Sequence, residues 1–233
     1  MARPSYLAAA AAALLNLAPP PAQAAPAAPA ASFAPWFTAA TAQSASPDED
    51  GFIRRWMLLE PIARPNRTNQ LFTSVYVRKA FAEDRPSGLD GATLPRDGQT
   101  LVHKGTTLAW HALDATPWDV KLFNFAAATG RPTYGVIFWA TTVVEAPRAI
   151  PGARLAIGSN AASMWWLNGA EAAALYGDRR MVMDDVVSPA IGLRKGRNVL
   201  TGAVINGPGL SDFAVRFVDD AGQPIRDLKV VLR

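Results

Sequence analysis

Residues Met164-Trp165-Trp166-Leu167 run straight into Asn168-Gly169, and this junction restricts the chain's folding more than any other stretch. A two-residue type I′ hairpin loop needs positive φ at both central positions, which Asn tolerates and Gly adopts without a Cβ clash. The apolar run is therefore a strand entering a tight reversal. Asp219-Asp220-Ala221-Gly222 reads as a second reversal, after a strand that carries Phe213, Val215 and Phe217 on one face.

The rest of the body follows the same pattern of short strands between turn residues. Candidate strands are Phe52 to Leu59, Leu71 to Val77, Thr107 to Leu113, Trp118 to Phe125, Tyr134 to Val144, Arg154 to Gly158, Met164 to Leu167, Val186 to Leu193, Asn198 to Asn206 and Phe213 to Val218. They are rich in β-branched and aromatic residues, and Gly, Pro, Asn or Asp punctuates the gaps. Tyr134 to Val144 is apolar on both alternating faces, the mark of a central strand covered on both sides. Helical signals are sparse, and Glu171 to Tyr176, coming just after the hairpin turn, reads as a strand or short loop. The expected class is all-β, a sandwich or barrel.

The N-terminus has a different composition. Arg3, the Ala/Leu run from Leu7 to Leu17 and the small-x-small Ala22-Gln23-Ala24 fit a signal peptide over residues 1–24, which implies a periplasmic or secreted product. That run is shorter than the ~20 residues that span a bilayer, so the expected protein is not membrane-spanning. Residues 25–47 read as a flexible Ala/Pro-rich lead-in in which Trp36 and Phe37 are candidates for docking, and residues 48–233 as a single β-sandwich domain. The chain has 0 Cys, which excludes disulfides and thiolate metal sites. The basic residues behind a net charge of +4 are scattered, and no groove-reading helix or RNP-like motif accompanies them, so no nucleic-acid partner is expected.

Trp166-Leu167-Asn168-Gly169, Leu193-Arg194-Lys195-Gly196-Arg197-Asn198-Val199-Leu200 and Ala203-Val204-Ile205-Asn206-Gly207-Pro208-Gly209 together resemble the galactose-binding-domain-like modules of exported bacterial carbohydrate-active proteins. Trp56-Met57-Leu58-Leu59-Glu60-Pro61-Ile62 is similar to their opening strand. The resemblance implies a jelly-roll β-sandwich that binds carbohydrate or polysaccharide without catalysis, alongside polysaccharide-active enzymes. In similar modules an Asp-Asp pair follows a Ser ahead of the hairpin. Here Ser159, Asn160 and Ala161 stand at those positions, and the Ala161 side chain can bind neither a metal ion nor a hydroxyl.

Four residues are candidates for contact with a sugar. Trp165 and Trp166 point to opposite faces by the period of two, and Trp165 is the candidate stacking platform because Trp166 takes the packed position of similar modules. Arg179 and Arg180 could hold the carboxylate of an acidic sugar by paired hydrogen bonds. Asn206 lies where a strand breaks into a loop and could offer its amide to hydroxyls, or could cap its own turn. For most of the seven Trp, a place in the core is the competing role. No cofactor is expected, although Asp184-Asp185 offers oxygen ligands of the kind calcium takes, and similar sandwiches often hold a structural calcium ion.

No catalytic residue is singled out. His103 and His111, the only two histidines, lack metal-ligand spacing, and Gly158-Ser159-Asn160 is not a nucleophile elbow. Two alternatives stay open. One is a carboxylate-dependent glycosidase or lyase, with Glu60 and Glu145 the first residues to test. The other is an envelope structural or assembly protein with a protein partner and no sugar binding.

Overall fold

The computed structural model describes residues 32–89 and 91–232. The candidate signal peptide and the first residues of the lead-in lie outside this set. In chain order the elements are β1 (Phe37–Ala39), β2 (Arg55–Ala63), α1 (Ser74–Glu83), β3 (Thr100–His103), β4 (Thr106–Ala115), β5 (Val120–Lys121), α2 (Leu122–Ala128) and β6 (Val136–Ala146). There follow β7 (Arg154–Ser159), β8 (Ala162–Leu167), β9 (Ala170–Leu175), β10 (Val186–Val187), β11 (Gly196–Asn206), β12 (Asp212–Val218) and β13 (Lys229–Val231).

Eight consecutive strands, β5 to β12, form nested antiparallel pairs: β8 with β9, β7 with β10, β6 with β11, and β5 with β12. Such a nest is one long folded hairpin, and wrapping it over itself adds the pairs β11 with β8 and β12 with β7. The result is a jelly roll of two sheets, β6-β11-β8-β9 facing β10-β7-β12-β5. The larger sheet extends past β6 through β2, β4 and β1, with β3 on β4 and β13 on the far end of β6.

The period of two in β6 gives each face its own core. Val136, Phe138, Ala140 and Val144 point between the sheets, with Trp56, Trp165, Leu200, Ile157, Phe213 and Phe217. Ile137 and Trp139 point the other way, where Val77, Ala80 and Phe81 of α1 cover them. The doubly apolar strand is thus central and buried on both faces, as its pattern required.

Asn168 (φ 52°) and Gly169 (φ 83°) make the expected tight turn between β8 and β9. Asn168 Nδ2 donates to Asn198 Oδ1 at 3.2 Å, Asn168 Oδ1 accepts from the Val199 amide at 3.0 Å, and Asn198 Nδ2 donates to the Arg194 and Gly196 carbonyls. The turn motif and the Arg194-to-Asn198 motif are therefore one hydrogen-bonded unit.

Four readings of the sequence are corrected. Leu71 to Val77 is not a strand. Thr73 caps α1 by accepting from the Tyr76 amide, and burial of Val77, Ala80 and Phe81 at helical spacing outweighs the β-branched composition. Trp118 to Phe125 splits into the two-residue β5 and the start of α2, and Val186 to Leu193 keeps only β10. The described part of the lead-in, residues 32–47, belongs to the fold. Phe37 is buried in the core, Phe33 stacks on Phe125 at 5.9 Å, β1 pairs with β4, and Ala45 bridges Val230.

Trp165 sits opposite Gly202 on β11, and a Cβ at Gly202 would overlap the six-membered ring of Trp165. Gly202→Ala should lower unfolding free energy by about 1–3 kcal/mol through overpacking, measured by urea denaturation. An unchanged midpoint would show that the ring has room to move.

Candidate functional site

Trp165 is fully buried, in edge contact with Trp56 at 5.8 Å and Phe213 at 5.0 Å. It cannot serve as a ligand platform, because the face it was assigned to is the interior of the sandwich. Trp166 is the less buried of the pair, yet it stacks on Trp139 at 5.7 Å under the Arg85 guanidinium. Arg179 is held by Asp185, while Arg180 is exposed. Asp184 bonds the Arg216 guanidinium through both carboxylate oxygens. Among the described residues no three His, Asp or Glu side chains group as metal ligands.

Glu60 and Glu145 do not form a hydrolytic pair. Leu59 pairs with Trp139, and Glu145 lies six residues farther along β6, roughly 20 Å at the strand rise of ~3.3 Å. That exceeds the ~5–10 Å separation of glycosidase carboxylates. Glu60 is buried and accepts from Arg131 Nε and Nη2 at 3.0 and 2.6 Å, with His111 Nε2 at 3.4 Å.

Asn206 points to the site. It ends β11, and its Nδ2 donates to the Gly209 carbonyl at 2.9 Å, so the side chain does cap its own loop. Its Oδ1 is buried without a partner. Asn66 reaches the same loop, donating to the Asn206 carbonyl at 3.2 Å and the Arg64 carbonyl at 3.0 Å, and its Oδ1 is likewise buried and unpartnered. Asn69 Oδ1 accepts from the Gly207 amide at 2.9 Å. The approach is so close that a Cβ at Gly207 would overlap both amide oxygens, which is why glycine follows Asn206. An unpaired buried acceptor costs about 1–3 kcal/mol, and both of these oxygens are packed inside the loop junction.

Asn160 Oδ1, Ser211 Oγ and Asp212 Oδ1 are further buried, unpartnered oxygens, and the Asn160 amide donates to the Asp212 carbonyl at 3.0 Å. Lys121 Nζ binds Asp119 at 2.7 Å and Asp212 at 3.1 Å. Burial pushes the Asp212 carboxyl up against the pull of Lys121, whose nearer partner is Asp119.

Beside Asn66, Tyr134 exposes 54% of its surface. Tyr134, Asn66, Arg67, Pro65 and Pro132 line a cleft of about 340 Å³, within the range of small-molecule sites. The Arg64 amide donates to the Gly135 carbonyl at 2.7 Å, and Asn206 lies opposite Val136, so strand pairing unites three distant segments. Sequence reasoning passed over Asn66, Asn69 and Tyr134. A Pro65-Asn66 turn followed by Asn69 was the available signal.

The cleft's first loop is anchored from behind. Asp84 is fully buried and accepts from Arg64 Nη1 at 2.8 Å, His103 Nε2 at 2.9 Å and Lys104 Nζ. Burial by itself would raise its pKa, but the bonds from Lys104 and His103 and the charges of Lys104 and Arg64 outweigh it and hold the carboxyl below its usual range.

No family model matches this chain, and no curated protein matches it. Among solved structures, a PA14 sugar-binding domain from an RTX adhesin is similar at 12% identity and a TM-score of 0.43, over 75% of this chain and 95% of that one. Similarity at this level assigns neither family nor ligand.

The depressed Asp84 pKa contributes stability that is present above the unfolded carboxyl value, about 3.9, and is lost as pH falls through the lower folded value. Asp84→Asn should therefore melt below wild type at neutral pH, with the gap closing as the solution is acidified below about pH 4. A gap independent of pH would mean that packing, and not charge, carries the contribution of Asp84.

Proposed function

We propose that this protein is a noncatalytic carbohydrate-binding β-sandwich whose sugar sits in the cleft between Tyr134 and Asn66. The observation that carries this reading is an exposed aromatic ring, Tyr134, beside the polar side chains of Asn66 and Arg67 in one cleft. A pyranose has one apolar C–H face and a rim of hydroxyl donors. The Tyr134 ring offers a flat surface to the first, and the polar side chains of the cleft wall meet the second. Arg67, on the cleft wall, supplies donors for ring or hydroxyl oxygens.

The resemblance of the Asn168-Gly169 and Asn198 motifs to carbohydrate-binding modules supports the same reading. The N-terminal Arg3-to-Ala24 pattern supports export, and an exported binding module of this kind would act beside polysaccharide-active enzymes.

Retention on a panel of immobilised polysaccharides tests the proposal. Tyr134→Ala should weaken retention about tenfold, the equivalent of roughly 1.4 kcal/mol of lost stacking, while leaving the melting temperature in place because the side chain is exposed. Retention unaffected by Tyr134→Ala, or a panel on which the wild type is never retarded, would refute it.

A further inference from the structure

A second cleft, also about 340 Å³, lies on the other side of Ala63 and Pro132, which line both. Its floor is apolar, from Pro61, Ile62 and Leu108, and its walls carry His103, Lys104 and Arg131. It opens where the pairing of β2 with β6 shifts register between Leu59 and Ile62, a bulge that includes Pro61. Proline has no N–H to give to the ladder, and bulges re-aim side chains beside functional sites.

The charged groups are arranged in two layers. No Asp or Glu lines either cleft, whereas Arg67, Lys104 and Arg131 do. The matching carboxylates lie behind them: Glu60 is 8% exposed and Asp84 0%. Glu60 occupies Arg131 Nε and Nη2, and the Thr107 carbonyl takes Nη2 again at 2.8 Å, which aims the guanidinium and leaves Nη1 for a ligand. Asp84 holds one proton of the Lys104 ammonium and the His103 Nε2. Lys104 (φ 47°) and Gly105 (φ 81°) form the tight turn of the β3–β4 hairpin, so the lysine is fixed at both backbone and tip. The groove presents oriented cationic donors on an apolar floor, with the acids that orient them out of a ligand's reach.

From this arrangement we infer that the two clefts form one groove for an acidic glycan of at least two sugar units, with one unit on Tyr134 and the carboxylate of the next between Lys104 and Arg131. This rests on the sugar-binding reading of the Tyr134 cleft and adds the ligand's charge and direction. A uronate carboxylate accepts charge-assisted bonds from both side chains, while its ring lies against Ile62 and Leu108.

The test is calorimetric titration of the full chain with a uronic-acid tetrasaccharide and with the same sugar after its carboxyls are reduced to alcohols. Wild type should bind the acidic form about tenfold more tightly, the scale of a charge-assisted bond. Lys104→Ala, at an exposed side chain, and Arg131→Lys, which keeps a cation on Glu60 but loses the fork, should each bring the acidic form toward the reduced one. Each should weaken binding of the reduced sugar far less than binding of the acidic one. Equal affinity of wild type for both forms, with Tyr134→Ala still weakening both, would overturn the acidic-glycan inference and leave the sugar-binding reading standing. Absence of binding to either sugar, together with no retention on the polysaccharide panel, would overturn both.

Discussion

The amide exchange between Asn168 and Asn198 holds the middle of this molecule in register. β11 lies between β6 and β8 and closes the wrapped nest of strands, so its alignment decides which residues enter the sandwich. A slip of one residue would turn Leu200 and Val204 out of the inter-sheet core and lift Gly202 from beneath Trp165. Asn198 is fully buried, and its side chain bonds the hairpin turn on one side and the loop leading into its own strand on the other. Without it the two apolar faces of the large sheet would have little to tell them apart.

Because that sheet is covered on both faces, polar groups have no low-cost place along its length. The hydroxyls it does hold inside, such as Thr141 and Thr201, bond each other, and the charged groups collect at the ends and edges, where loops meet. The Asn66, Asn206 and Tyr134 cleft forms where β6 begins and β11 ends, and the cationic cleft forms where the β2 bulge and the β3–β4 hairpin stop following the sheet. Buried carboxylates at Glu60 and Asp84 stand behind the cationic cleft. Arg131 holds the first, and Arg64 and Lys104 hold the second, so each acid orients basic side chains.

Much of the scaffold was legible in the sequence because local chemistry dictated it. Asn168-Gly169 permits little besides a type I′ turn, and the double apolar alternation of Tyr134 to Val144 permits little besides a central strand. The helix α1 was hidden by Val75, Tyr76 and Val77, whose β preference gave way to packing of Val77, Ala80 and Phe81 on the sheet. Phe37 was visible as a docking candidate, whereas Phe33 was masked by the Ala and Ser around it; these two aromatic anchors and a three-residue strand tie the segment down.

The binding face was far less legible. Alternation correctly put Trp165 and Trp166 on opposite faces, but which face is solvent depends on the second sheet and on α1, and neither is encoded in the hairpin. Asn206 was visible as a strand end. Its partner Asn66, and Asn69, which bonds the next residue Gly207, lie about 140 positions earlier in the chain and reach this loop only because β2 and β11 flank β6. The sequence by itself determined strands, turns and the inward or outward alternation of side chains, since these depend on neighbours in the chain. Only the tertiary structure decided which of those faces is covered and which distant polar groups share a cleft, because burial and convergence are properties of packed layers.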